Sequence, residues 1–201
     1  MMPIVLPYDD PDARQHVEAA LETGQTIIFP TDTIYGIGGN PWDERTLQRV
    51  RTLKNRSADQ PFTLHLPSVD AIRRYAQVED KQWTTLRQLL PGPYTVLLPA
   101  LPATPSSSTL RGSVGIRVPK HPFFSNVIFE LDRPLFGTSI NRHGEPPLAD
   151  INEIIDRFAS VDLILVGPVS GTASSIIDLT VDPPRAVRGS LPEALRSSLA
   201  D

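Results

Sequence analysis

The stretch Phe29 to Gly39, FPTDTIYGIGG, carries the end of an apolar strand straight into a proline, two threonines, a carboxylate and a tyrosine before it reaches glycines. Just upstream, TIIFP reads as a buried strand because β-branched and aromatic residues crowd between turn signals. In layered α/β folds ligands gather outside the carboxyl ends of strands, so hydroxyls massed there mark a candidate site. The same TDTIYG segment also fits a polar turn, in which Asp32 and Thr33 satisfy backbone groups and Gly36 supplies an unusual backbone angle.

Helical and strand patterns alternate on both sides of this stretch. Asp10 and Pro11 open a helix as cap and first residue, Val17, Ala20 and Leu21 share its inner face, and Gly24 stops it. Asp43 caps a second helix with Leu47, Val50 and Leu53 inward, and this helix delivers Lys54 and Arg56 at its C-terminal end. FTLHL, from Phe62 to Leu66, alternates like a strand. Ser68 and Asp80 each begin a helix, and PGPY at Pro91 to Tyr94 breaks the second before the strand YTVLLP.

The segment Pro99 to Thr109 is rich in Pro, Ser and Thr, has little apolar surface to bury, and reads as a mobile loop. SVGIRVP resumes the core, Pro122 starts another helix, and LFGTSIN forms a strand and its exit. INEIIDRFA is helical, DLILV, SIIDL and RAVR are closing strands, and the last ten residues form a small helix. The alternation is irregular and has no internal repeat, which predicts one α/β-layered domain over residues 1–201.

Composition narrows the function classes. With 40% hydrophobic and 21% charged residues in a 201-residue chain, a sizeable core is expected. No apolar run approaches the ~20 residues that cross a bilayer, and the N-terminus lacks a secretory pattern, so the expected location is the cytoplasm. Zero cysteines exclude a disulfide, a thiolate nucleophile and a thiolate metal site. A net charge of -4 argues against a module that grips nucleic acid with a broadly basic surface. Sixteen of the nineteen basic residues are arginine, the better fork for carboxylates and phosphates, although a genome-wide bias gives the same count.

The common phosphate, dinucleotide and zinc motifs are absent, and His16, His65, His121 and His143 are too scattered to form a metal cluster. Lys54 and Arg56 in LKNRSADQPF fit two roles: cations compensating a helix C-terminus, or ligands for an anion. Arg117 lies inside the apolar strand SVGIRVP, where a buried guanidinium must find an anion, internal or bound. Ser139 and Asn141 in GTSIN lie on one side of an extended segment and either line a site or cap the next turn. Hydroxyls lead into the strand of ASSIIDL, and RAVRGS ends on Arg188.

Taken in this order, these pieces resemble the YrdC-like family of threonylcarbamoyl-AMP synthases. FPTDTIYGIGGN is similar to the family's opening signature, LKNRSADQPF to its K-x-R segment, and LLPGPYTVLL to its P-G-P-x-T segment. GSVGIRVPKHP matches the central arginine strand, FGTSIN the S-x-N motif, SSIIDL the late serine strand and VRGS the terminal arginine. The similarity spans about Leu21 to Gly189. It implies an α+β, three-layer fold: an open, twisted, mixed sheet flanked by helices and enclosing a deep, positively charged groove.

The resemblance also implies a reaction. L-threonine, bicarbonate or CO2, and ATP with Mg2+ would give threonylcarbamoyl-AMP and pyrophosphate, for N6-threonylcarbamoyladenosine modification of tRNA by a downstream transferase complex. Carried over motif by motif, Thr33, His65, Arg117, Gly137 and Ser174 would hold threonine. Arg56, Gln60, Ser113, Ser139 and Arg188 would hold ATP. Lys54, Arg56, Ser139 and Asn141 would steady the reacting carbamate and phosphate.

Some positions depart from the family pattern. His143 and Pro147 stand where serines are usual, which puts ATP contacts from that loop in doubt. Phe62 leans toward the YciO-like branch, whereas the K-x-R and S-x-N motifs, often broken in that branch, are intact here. The alternative function is therefore a non-catalytic YciO-like paralogue that binds structured RNA or a nucleotide. A carbamoyl-transfer module of the hydrogenase-maturation type is a third reading, disfavoured because the zinc-finger and acylphosphatase regions are missing. Without the extra C-terminal domain of longer synthases, closure over ATP would fall to loops such as Pro99 to Gly112.

Overall fold

Strand residues that alternate between two faces can pack two layers at once, and TIIF does so. The structure, a computed structural model, describes residues 2–142 and 144–197. Its strands are β1 (Ile4–Pro7), β2 (Ile27–Phe29), β3 (Gly36–Gly39), β4 (Thr63–His65), β5 (Tyr94–Pro99) and β6 (Thr109–Leu110). They continue as β7 (Ser113–Arg117), β8 (Leu135–Ser139), β9 (Leu163–Val166), β10 (Ser175–Asp178) and β11 (Arg185–Arg188). The helices are α1 (Ala13–Thr23), α2 (Glu44–Lys54), α3 (Asp80–Leu89), α4 (Phe129–Leu131), α5 (Ile151–Arg157) and α6 (Glu193–Ser197).

Among the described residues, the strands form one mixed sheet in the order β1-β9-β2-β3-β8-β4-β7-β5-β10-β11, with β6 paired to β7. In the half that contains β2, Ile27 and Phe29 pack against Val17, Ala20 and Leu21 of α1 and against the wide helical turns of Phe123–Ile128. Ile28 points the other way, onto Leu47 and Val50 of α2 and Ile154 of α5. Helices thus cover both faces there, the three layers expected from the sequence.

The other half is asymmetric. Leu64, Val96, Leu98, Val114 and Ile116 pack against Trp83, Leu86 and Leu89 of α3. Burying each such side chain contributes ~1.5–3 kcal/mol relative to leaving it exposed. The alternate residues of the same strands, Thr63, His65, Thr95, Leu97, Ser113, Gly115 and Arg117, line a cavity. The strand period of two therefore divides core from site.

Gly36 is a correction to one alternative of the sequence reading, which gave it the unusual backbone angle of a polar turn. Gly36–Gly39 is a central strand, antiparallel to both β2 and β8. A Cβ at Gly38 would coincide with the carbonyl oxygen of Phe136, and one at Gly36 would meet the Phe29 ring at 2.7 Å. Close backbone approach selects glycine here against its low strand propensity.

Other boundaries differ for local reasons. β1 was not anticipated; it is an edge strand parallel to β9, with Ile4 and Val5 exposed. The first helix begins at Ala13 and not at Pro11, because the Asp10 carboxylate accepts from Asp12 N at 2.9 Å and closes a turn first. Ser68 leads only into the short 3-10 turn Asp70–Arg74. Asp43 caps α2 as expected, accepting from Thr46 N at 2.9 Å, and Gly24 ends α1 with φ 69°.

The segment Pro99 to Thr109, expected to be mobile, is tied down. Leu101 N donates to Tyr75 O at 2.9 Å, Ser106–Ser108 forms a 3-10 turn, and Thr109 begins β6. The hydroxyls of Thr104, Ser107 and Thr109 donate to the backbone carbonyls of Tyr75, Pro41 and Pro105 instead of solvating a loop.

Candidate functional site

The cavity has a volume of about 530 Å³, within the range usual for small-molecule sites. Its floor comes from β4, β7, β5 and β10, and its walls from the exit of β2, the segment after α2, and the ends of β8 and β11. Arg56, Arg117 and Arg188 line it, and none of its lining residues is a carboxylate. Three guanidiniums separated widely in sequence thus converge on one hollow within a chain of net charge -4.

Unmade hydrogen bonds mark the same place. Among the described residues, the buried side-chain atoms without a partner are Arg56 Nε, Gln60 Oε1, His65 Nδ1, Ser108 Oγ, Arg117 Nε and His121 Nε2. Every one of these residues except His121 lines the cavity. Leaving such a group unpaired costs ~1–3 kcal/mol, and among the described residues this cost is concentrated around one hollow.

At the inner end, Arg117 is 4% exposed and its Nη2 donates to Asp32 Oδ1 at 2.6 Å. The internal partner expected as one alternative therefore exists, yet Arg117 still faces the cavity with Nε free. Burial pushes its pKa below the ordinary value, and Asp32 opposes that shift. Thr31 lines the cavity, and Thr33 stands behind it with the two hydroxyl oxygens 3.0 Å apart.

His65 is fully buried against Phe29 and Phe124. Burial, reinforced by the Arg117 charge, pushes its pKa down to about 3, so at neutral pH it is an uncharged ring, and its Nδ1 has no partner among the described residues. Gly137 makes room for it: a Cβ there would lie 2.9 Å from His65 Nδ1 and 2.9 Å from Phe29 Cζ.

On the opposite wall, Ser174 Oγ lies 3.2 Å from Thr95 Oγ1, and its carbonyl accepts from Arg188 Nε at 3.1 Å and Nη2 at 2.8 Å. Arg188 thereby ties β11 to the start of β10. Burial lowers its pKa and that of Arg56, the latter helped by Arg51. Arg56 Nη2 donates to Pro61 O at 2.7 Å and its guanidinium stands 5.2 Å from the centre of the Phe62 ring. Ser113 and Gln60 also line the cavity, Ser113 Oγ donating to Leu110 O at 2.9 Å.

Lys54 and Asn141 are brought together, but outside the cavity lining. The Lys54 ammonium donates to Ser139 O, to Asn141 O at 2.6 Å and to Asn141 Oδ1 at 3.0 Å, which engages all three of its protons. Burial, with Arg56 nearby, pushes its pKa down to about 7. Asn141 Nδ2 in turn donates to Arg142 O at 2.9 Å and Glu145 O at 2.8 Å, and Ser139 Oγ donates to Asn141 Oδ1 at 2.6 Å. Of this group only Ser139 lines the cavity, so the rest act as its scaffold. Pro147 reaches the cavity with an apolar ring, while His143 lies outside the described residues.

The sequence reading did not single out Ser108 or Thr95 as site residues. Thr95 had a signal, a polar residue in the apolar run YTVLLP. Ser108 had none, because it stands among three consecutive serines.

Comparison with known proteins agrees with this geometry. A family of Sua5, YciO and YrdC domains, described as "Telomere recombination", matches residues 19–190. A threonylcarbamoyl-AMP synthase of Pyrococcus abyssi is 30% identical over 178 residues, covering 86% of this chain and 52% of that protein. The chain thus spans about half the length of this relative. The structure of P. abyssi Sua5 complexed with L-threonine superposes with a TM-score of 0.85 at 26% identity, covering 98% of this chain and 60% of that one. E. coli YciO superposes with a TM-score of 0.84 at 27% identity, covering 95% and 96%.

Proposed function

This chain belongs to the Sua5/YciO/YrdC family, and from that membership we propose that residues 1–201 work as a single L-threonylcarbamoyladenylate synthase unit. The observation that carries this reading is the convergence of Arg56, Arg117 and Arg188 on one cavity ringed by unsatisfied polar atoms. The reaction joins two anions, so its main requirements are charge neutralisation and alignment. Threonine's amino nitrogen adds to CO2 and loses a proton, giving a carbamate. A carbamate oxygen attacks the α-phosphorus of ATP, the bond to the bridging oxygen breaks, and pyrophosphate leaves with the electron pair.

Arg117 suits the threonine carboxylate as a bidentate fork. His65, Thr33, Ser174 and the backbone at Gly137 would complete the amino-acid end. Arg56, Gln60, Ser113, Ser139 and Arg188 would hold the nucleotide, with Lys54 and Asn141 fixing the Ser139 strand end. Magnesium enters this scheme as Mg-ATP, carried on the phosphates. The cationic lining of the groove supports this scheme.

The product would pass to a tRNA threonylcarbamoyl transferase complex in the cytoplasm. Among the described residues no helix is long and apolar enough to cross a membrane. Phe62 in the K-x-R segment and apolar Pro147 at the cavity favour a second reading, a YciO-like paralogue that binds structured RNA or a nucleotide without catalysis. A thermal-shift panel separates the two. The synthase is stabilised by L-threonine more than by L-serine and further by Mg-ATP; a protein indifferent to threonine refutes the synthase reading.

A further inference from the structure

One carboxylate beside the cavity has no part in the scheme above. Asp32 is not among the lining residues, and its side chain is only 14% exposed. It sits in the turn between β2 and β3, where an aspartate ordinarily faces water. Here it faces inward, and its Oδ1 accepts from Arg117 Nη2 at 2.6 Å.

The turn is held so that this aim is fixed. The Thr31 hydroxyl accepts from Thr33 N at 3.1 Å and Ile34 N at 3.2 Å, and donates to Ile34 O at 2.7 Å. From the segment between β9 and β10, Gly171 N donates to Thr33 O at 2.7 Å and Ser170 Oγ to the same oxygen at 3.1 Å. Asp32 therefore stands between two anchored threonines. Arg117 gains from such a partner: burial and the Arg188 charge both disfavour its charged form, and Asp32 opposes them. A charge-assisted bond of this length also fixes the guanidinium plane. A guanidinium carries more donors than one carboxylate oxygen uses, so the pairing does not exhaust it. Arg117 lines the cavity and Asp32 does not, so Asp32 acts on a substrate only through Arg117.

We propose that Asp32 is a positioning residue of the amino-acid end, holding the Arg117 guanidinium in the orientation that meets the substrate carboxylate. This rests on the reading of the cavity as a synthase site. The carboxylate takes no part in bond making, so its contact with Arg117 is the same before and during attack on phosphorus. Losing the orientation of Arg117 therefore raises the KM for threonine and spares kcat.

The test combines steady-state pyrophosphate release with calorimetric binding of L-threonine and of a non-hydrolysable ATP analogue, on the full chain and on Asp32→Ala, Asp32→Asn and Asp32→Glu. Thermal melts check that each variant is folded. Asp32→Ala should raise the KM and Kd for threonine by at least about tenfold, with kcat and nucleotide affinity within about threefold of the parent. Asp32→Asn keeps an acceptor in place and should stay within about threefold for threonine. Asp32→Glu keeps the charge but displaces it by a methylene, and should lose about tenfold. The last two leave Arg117 an acceptor, so they decide the question even if Asp32→Ala does not fold. Parent-like threonine affinity in Asp32→Ala or Asp32→Glu overturns the proposal, as does Asp32→Asn losing as much as Asp32→Glu, because Asp32 would then only balance charge. Equal loss of threonine and nucleotide binding in a folded variant also overturns it. These results leave the synthase reading standing; a parent that binds no threonine defeats both.

Discussion

Lys54 Nζ lies 3.0 Å from Asn141 Oδ1 and 2.6 Å from Asn141 O, so the lysine of one motif is bonded to the asparagine of another 87 positions away. With Ser139 O as its third acceptor, this ammonium holds the exit of β8 from behind the cavity. Its contribution to the reaction then passes through Ser139 and the loop that Asn141 gathers.

Replacing Lys54 with methionine keeps the buried stem but removes three hydrogen bonds, and of their acceptors Asn141 Oδ1 keeps the Ser139 hydroxyl as a donor. Bonds to a charged donor contribute ~1.5–3 kcal/mol each when made, and their loss is partly relieved by relaxation of the loop. The expected outcome is a loss of roughly 2–4 kcal/mol in urea denaturation, together with weaker nucleotide binding and nearly normal threonine binding. A variant as stable as the parent would show that the three contacts carry no weight.

His65 sets an acid limit on stability. Its pKa falls from 6.5 in the unfolded chain to about 3 in the folded one, so between these values the unfolded state binds the additional proton. The stabilisation is fully present above pH 6.5 and is lost progressively as pH falls toward 3, with a slope of at most ~1.4 kcal/mol per pH unit. Denaturation midpoints at pH 5 and pH 7 measure it. His65→Gln should flatten this part of the profile; an unchanged slope would assign the acid sensitivity to other groups.

Gly38 and Gly137 separate a structural role from a site role. Alanine at Gly38 collides with the Phe136 backbone, which cannot move without parting β3 from β8. A cost above ~3 kcal/mol and poor expression are expected. Alanine at Gly137 meets the His65 and Phe29 rings instead. It should cost ~1–3 kcal/mol, leave the protein folded and weaken threonine binding. Equal, mild effects at both positions would contradict the close approach seen at Gly38.

The sequence was most readable where two periodicities met. Leu47 and Val50 announced the inner face of α2, and alternation in FTLHL and SVGIRVP separated core residues from those lining the cavity. It was least readable where tertiary contact overrode local preference. GIGG is a strand because Phe29 and Phe136 leave no room for side chains, information that lies in residues distant along the chain. The family motifs indicated Arg56, Arg117 and Arg188, and these do meet at one cavity. Residue types alone could not reveal that Lys54 points into a scaffold, that Asp32 already pairs with Arg117, or that Ser108 is the buried serine of three.

The central claim is that the arginine-lined cavity joins threonine carbamate to the α-phosphate of ATP. The most direct measurement is pyrophosphate release by the purified chain with Mg-ATP and bicarbonate, with and without L-threonine. Release that depends on threonine, and that falls by at least about a hundredfold in Arg117→Ala, is the predicted result. Release that proceeds equally well without threonine, or none at all from folded protein that binds both ligands, would contradict it.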